Sequence, residues 1–278
     1  MEKAGACPSQ ELIDCYETTD GEPVLNPDKP YQDSDHLLPN YNPANKLYNP
    51  NDPYKNRDPR FYASVYYNEA IRYLDDPNGI KVETYVGGNC CISDDVKEVR
   101  HTRTGYYLRK YNNCRSGIDV DADGLMRIYH LSELYLNFAE AAYQAYGPDA
   151  QVASSSGAGM LSAREAVNKT RTRAGMPALP AGLSKEAFEK RYRNERRVEM
   201  AFEEHRFFDV RRWKILSETD RFVTGMQIVK ENGGYTYTRF KLSERSTVAD
   251  KYLRYPIDGK EVAKILKYTG DNWQNPGW

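Results

Sequence analysis

Apolar positions recur at helical spacing only in the second half of the chain. From residue 125 onward, Ile128, Leu131, Tyr135, Phe138, Ala139, Ala142 and Tyr146 fall at intervals of 3, 4 and 7 and define one face of a helix. Gly147-Pro148 closes it, and a Ser/Gly/Ala-rich loop follows over 152–160. A second helix is expected from about Ser162, with Ala163, Ala166, Val167, Thr170 and Ala174 on one face and Gly175 and Pro177 as its stop. Small residues on that face allow two helices to approach closely, as in an αα-hairpin or a helical-repeat unit. Strict tetratricopeptide spacing is absent because the inter-helix loop is too long. Ser184 can cap a third helix running to about Glu204, and a short helical or turn segment is expected through Trp213.

The first half reads differently. Pro23, Pro27, Pro30, Pro39, Pro43, Pro50, Pro53 and Pro59 forbid long helices before residue 60. Tyr31, Tyr41, Tyr48 and Tyr54 within that stretch argue for ordered loops packed on a scaffold. RFYASVYYN (60–68) and TGYYLRKYN (104–112) read as strands, and the tail from 214 returns to strand and turn material. The expected fold class is mainly α, a repeat-like helical scaffold with long ordered loops and a few short strands. It forms a single unit over 1–278: a loop-rich segment with short strands (1–124), repeat-like helices (125–216) and a C-terminal strand and turn segment (217–278).

Composition narrows the function classes. The 278 residues carry 39 Lys and Arg against 40 Asp and Glu, a net charge of −1 that supplies no global field for nucleic acid or an anionic membrane. Mean hydropathy is −0.81, yet 40% of residues are hydrophobic, which excludes general disorder. Tyrosines number 23 against 8 Phe and 3 Trp, a balance suited to half-wet surfaces and binding loops. No stretch reaches the roughly 18 apolar residues that span a bilayer. The opening MEKAGACPSQ has no apolar signal-peptide core, and Met1 leads directly into what reads as mid-protein sequence, so a truncated piece of a longer protein is expected. The cysteines are Cys7, Cys15, Cys90, Cys91 and Cys114, without a CxxC pair for zinc. A Cys7–Cys15 disulfide, a bridge from Cys114 to Cys90 or Cys91, and free thiols all remain open.

The third helix places charge where an apolar stripe should be. At about 100° per residue, Tyr192, Glu195, Glu199, Phe202 and Arg206 lie within about 40° of Phe188. Buried charges must be paired, so Glu195 and Glu199 are expected to be held by Arg206, or by Arg211 and Arg212 folding back, beneath Trp213. Paired carboxylates suggest glycoside hydrolysis, but one-turn spacing among arginines keeps both ionised, and a general acid needs the opposite. Interleaved Glu186, Glu189, Glu195, Glu199, Glu203 and Glu204 also deny the segment a phosphate-tracking face, which removes nucleic acid as a partner. DVDADG (119–124) matches the start of a calcium loop through Asp119, Asp121 and Asp123, but position 12 of such a loop is His130 rather than Glu. A turn with Asp123 near a helix N-terminus is the competing reading.

ERRVEMAFEEHRFFDVRRW (195–213) resembles the signature of the SusD/RagB family. RDPRFYASVYYN (57–68), YYLRKY (106–111), IYHLSELYLNFAEAAY (128–143), AVNKTRTRAGM (166–176), YPIDGKEV (255–262) and NWQNPGW (272–278) are similar to further family segments in the same order, and PSQELIDCYETTDGEPV (8–24) has the same look. Family members often carry Arg where this chain has His130, and they are longer, with a lipoprotein signal, an anchoring cysteine and N-terminal repeat helices. The resemblance therefore implies the C-terminal half of a non-catalytic surface lipoprotein on a tetratricopeptide-like scaffold. Such proteins face outward from the outer membrane, held by a lipid anchor not present here, and pass oligosaccharides to a SusC-like TonB-dependent transporter. It implies no cofactor. It also implies that Glu195, Arg197, Glu199, Arg206, Asp209 and Trp213 are structural, while sugar contacts lie in variable loops. The candidates there are Tyr31, Tyr41, Tyr48 and Tyr54 as stacking platforms, with Asn40, Asn42 and Asn45 as hydrogen-bond partners. These tyrosines could equally pin a Pro-rich loop onto the helices. A helical-repeat interaction scaffold without glycan affinity is the alternative function.

Overall fold

The computed structural model describes residues 5–278 except 77, 94, 96, 113–127, 154–158, 220 and 247–248. The chain opens with a single turn, α1 (Gln10–Ile13), and long loops then run to α2 (Pro59–Ser64). Strands β1 (Val65–Tyr66), β2 (Ala70–Ile71), β3 (Lys81–Val82) and β4 (Tyr107–Leu108) follow, with β1 paired to β4 and β2 to β3, both antiparallel. The helical part comprises α3 (Leu131–Tyr146), the two-residue strands β5 (Val152–Ala153) and β6 (Met160–Leu161), α4 (Ala163–Arg173), α5 (Lys185–Glu199), α6 (His205–Arg212) and α7 (Leu216–Thr219). A long hairpin, β7 (Phe222–Glu231) and β8 (Gly234–Glu244), and a final helix, α8 (Gly259–Thr269), complete the chain. No helix among the described residues is long and apolar enough to cross a membrane.

Local chemistry explains most boundaries. Ser162 accepts from the Glu165 amide at 3.2 Å while the Glu165 carboxylate takes the Ser162 amide at 2.8 Å, so α4 begins on a complete capping box. Ser184 caps α5 by accepting from the Ala187 amide at 3.1 Å. α5 stops at Glu199, short of the expected Glu204. Lys110 donates to the terminal carbonyls of Glu199 (3.3 Å) and Ala201 (3.1 Å), and Phe202 and Glu204 turn left-handed. The expected strand at 60–68 is cut to Val65–Tyr66, because Asp58 accepts from the Arg60 amide and Pro59 fits the first helical position, giving α2 instead. Ile128 precedes α3 and is 92% exposed, so it is no part of the helical face assigned to it. The tail, expected as strand and turn only, contains α8, capped by Asp258 and closed by Gly270 at φ 78.

Two cores meet along α5. Leu136, Ala139 and Tyr143 of α3, Ala163, Ala166 and Val167 of α4, and Phe188 and Tyr192 of α5 form the first. The alanines let α3 and α4 approach closely, as their small residues require. The second core joins Ile13, Tyr16, Tyr54, Phe61, Val65 and Tyr106 to Val198 of α5 and to Met226 and Ile228 of β7. Main-chain bonds seat the hairpin on it: Met226 N–H donates to Thr104 at 2.8 Å and Val86 N–H to Ile228 at 2.8 Å. Cys7, Cys15, Cys90 and Cys91 are free thiols, which removes the Cys7–Cys15 bridge; Cys114 and the DVDADG segment with Asp119, Asp121 and Asp123 lie outside the described residues.

Candidate functional site

The hairpin and the Pro-rich loop form the two walls of an open groove of about 500 Å³. Leu37, Leu38, Pro39, Tyr41, Tyr48, Pro50, Asn51 and Pro53 build one wall. Alternation along β8 sends Tyr235, Tyr237 and Arg239 toward the other side, with Thr236 and Thr238 exposed between them. Tyr41 and Tyr48 stand 5.3 Å apart at 39°, and Tyr235 and Tyr237 6.4 Å apart at 55°. Four phenol rings thus bound one cleft with hydroxyl and amide groups between them, a composition able to stack on an apolar face and to hydrogen-bond polar substituents. Burial pushes the Tyr237 phenol up to about 12; burial and the Glu69 carboxylate do the same for Tyr235, so both are neutral near pH 7, with the Tyr235 hydroxyl already donating to Glu69 at 2.7 Å.

The sequence-derived candidates separate here. Tyr41, 38% exposed, and half-buried Tyr48 line the groove. Tyr54 sits in the second core, its hydroxyl donating to that of Tyr106 at 3.4 Å. Tyr31 turns inward, donating to Asp14 at 2.9 Å and stacking on His36 at 4.1 Å. Asn42 donates to the Glu22 carboxylate and the Pro23 carbonyl, Asn40 to the Lys29 carbonyl, and Asn45 to Thr18, Glu22 and Pro23, so all three brace the loop. Tyr235 and Tyr237 were not singled out from sequence, although the alternation in GYTYTRFKL was the signal for them.

The charged stripe of α5 is an internal lattice, with partners other than those expected. Glu195, 1% exposed, accepts from Arg60 at 2.5 Å and Arg171 at 2.9 Å; Glu199 accepts from Arg60 at 3.0 Å and Arg173 at 2.6 Å. Arg171 also reaches Glu17 at 2.7 Å, and Arg60 reaches Asp58 at 2.7 Å. Arg206 instead donates to Thr219, Arg211 to the carbonyls of Tyr252 and Phe207, and Arg212 to Asp209 and Glu140. Trp213 covers that second cluster, its indole donating to Glu140 at 2.7 Å, and Asp209 is held by Arg196 at 2.8 Å. Arg197 lines a separate cavity of about 230 Å³ beside Asn194 and Tyr31. Burial pushes the Glu195 carboxyl up, but Arg60 and Arg171 outweigh it and hold it below its ordinary 4.5. A carboxyl lowered on folding contributes stability in full above that ordinary value, and loses it as pH falls through the folded one. Acid denaturation followed by circular dichroism should therefore show a loss of stability below about pH 4.5 that is smaller in Glu195→Gln, itself less stable at pH 7, the remainder coming from other lowered carboxyls such as Glu11, Glu140 and Glu203.

The SusD family model matches residues 2–278. The chain belongs to the SusD family. A SusD-like protein from Bacteroides fragilis NCTC 9343 is 29% identical, with a TM-score of 0.69, covering 99% of this chain and 47% of its own. A second solved structure from the same strain, described as a SusD-like carbohydrate binding protein, is 23% identical with a TM-score of 0.61, covering 91% of this chain and 46% of its own. This SusD-family chain thus spans about half the length of these solved relatives. No curated protein matches it. The mainly helical scaffold is that of SusD-like structures, which are tetratricopeptide-like. Three family-like segments (57–68, 166–176 and 195–213) meet in the ion lattice, where Arg60 bridges 135 residues to Glu195.

Proposed function

We propose that this chain contributes a glycan-binding groove to a non-catalytic SusD-like protein. The whole protein would sit on the outward face of an outer membrane through a lipid anchor and hand oligosaccharides to a SusC-like TonB-dependent transporter. Family membership supports glycan binding, and the single observation carrying the reading at this site is the cleft walled by Tyr41, Tyr48, Tyr235 and Tyr237. Its volume lies within the range of roughly 300–1,000 Å³ typical of ligand sites. None of its described lining residues is a carboxylate, and the closely spaced Glu195 and Glu199 are ion-paired in the interior, so the paired acids of a glycosidase are not offered there.

Titration calorimetry against a panel of plant and host oligosaccharides tests the reading. Saturable binding is expected, and Tyr41→Ala, at an exposed position outside both cores, should weaken it about tenfold, or ~1.4 kcal/mol. A flat response from folded protein across the panel would overturn it. A second reading, a surface for protein contacts, is favoured by the exposed Leu131 and Leu134 of α3, Phe208 of α6 and Tyr268 of α8, which are 51–76% accessible.

A further inference from the structure

We propose that the groove accepts neutral oligosaccharides and rejects those carrying uronate or sulfate groups; this rests on the glycan-binding reading above. Recognition of a carboxylate or sulfate requires a cation, or converging N–H donors, left unspent by the protein. The single cationic side chain among the described lining residues is Arg239. Its two terminal nitrogens donate to both oxygens of Asp14, at 2.7 and 2.8 Å, and each partner is 5% exposed. Asp14 is further held by Tyr31 at 2.9 Å and Gln10 at 2.8 Å, so the carboxylate cannot swing away to release the guanidinium. Drawing Arg239 toward a bound anion would strand a buried charge.

Beyond the lining, Arg57 is buried and spent, whereas Lys55, Lys81 and Lys230 are exposed lysines with partners of their own. Arg57, beneath the Tyr48 ring at 5.4 Å, is 1% exposed and donates to the carbonyls of Pro53, Ile13 and Tyr16. Lys55 pairs with Asp52 at 2.6 Å, Lys81 with Glu69 at 3.0 Å, and Lys230 stands over the Tyr85 ring at 4.8 Å. The fixed charges that act on the Tyr235 and Tyr237 wall are carboxylates, whereas Tyr41 and Tyr48 feel Arg239 and Arg57 only from the buried, hydrogen-bonded positions just described. Glu69 accepts from the Tyr235 hydroxyl at 2.7 Å, and Asp52 lies close enough to disfavour ionisation of Tyr237. A uronate entering the cleft would lose hydration and find no unspent cationic donor among the described lining residues to replace it. Sugar hydroxyls would instead meet Asn51, Thr236, Thr238 and neutral phenols.

Calorimetry of the folded chain with neutral xylo- and manno-oligosaccharides, oligogalacturonates and chondroitin sulfate oligosaccharides of matched length tests this. The expected result is binding of at least one neutral series about tenfold or more tighter than either acidic series, and unchanged between low and physiological salt. Asn51→Lys, at an exposed rim position, should create salt-sensitive binding of the acidic series. Wild-type binding of an acidic series as tight as that of the neutral ones overturns the selectivity and leaves glycan binding standing. Folded protein that binds no sugar overturns both.

Discussion

Arg60→Ala is expected to lower stability by about 3–5 kcal/mol, the cost of leaving buried charges uncompensated. Its guanidinium, 12% exposed, contacts Asp58, Glu195 and Glu199, which are 1%, 1% and 6% exposed. Arg171 and Arg173 remain beside the two glutamates in the variant, but Asp58 loses its guanidinium and α2 loses its tie to α5. Arg60→Lys should recover little, because one ammonium cannot place parallel bonds on three carboxylates. Glu199→Ala should cost less than Arg60→Ala. It leaves Arg60 with Asp58 and Glu195, and Arg173, 59% exposed, with water. Urea denaturation measures all three. A loss under about 1 kcal/mol for Arg60→Ala would mean that packing, not the ion lattice, joins the loop-rich half to the helices.

That lattice shows where reading the sequence succeeds and where it stops. The burial of Glu195 and Glu199 was legible because 3.6-residue periodicity is local: it places both on the stripe of Phe188 and Tyr192 whatever surrounds them. Their partners were not legible from spacing. Nearby Arg206, Arg211 and Arg212 are adjacent in sequence, whereas Arg60 arrives from 135 residues away through a tertiary contact that no periodicity encodes. The groove divides in the same manner. Tyr41 and Tyr48 stand out in a Pro-rich stretch, but so do Tyr31 and Tyr54, and only packing sends the first pair to a cleft and the second pair inward. Tyr235 and Tyr237 become a wall only once the hairpin docks on the loops. α8 escaped notice for a related reason: its Val262, Ile265 and Leu266 stripe is short, and no residue of the helix is buried.

Docking of the hairpin hinges on Gly105, and Gly105→Ala is expected to cost about 2–5 kcal/mol. The residue has φ 88, where a side chain adds roughly 1–2 kcal/mol of strain. A methyl there would also lie 2.3 Å from the Met226 carbonyl oxygen, a backbone atom that cannot rotate aside, and overpacking of this kind adds typically 1–3 kcal/mol. Across the same contact, Thr104 accepts from Met226 N–H at 2.8 Å, and a methyl on Gly225 would meet the Thr104 carbonyl at 2.8 Å. Strand β7 therefore lies against residues 104–105 at a distance that only hydrogen atoms at both glycines permit. Gly233→Ala is the matched control: its φ is 91, but nothing stands within 4 Å of the added methyl, so only the strain of about 1–2 kcal/mol applies. Denaturation of the two variants separates conformational strain from steric exclusion, and equal losses would show that β7 is not packed on the 104–105 turn. Because β7 carries β8 through its ladder, the wedge at Gly105 should also shift Tyr235 and Tyr237 at the cleft against the Tyr235–Glu69 and Arg239–Asp14 ties that hold β8 directly. Sugar binding measured on the folded fraction of Gly105→Ala should fall, while Gly233→Ala, at the far end of the hairpin turn, should retain it.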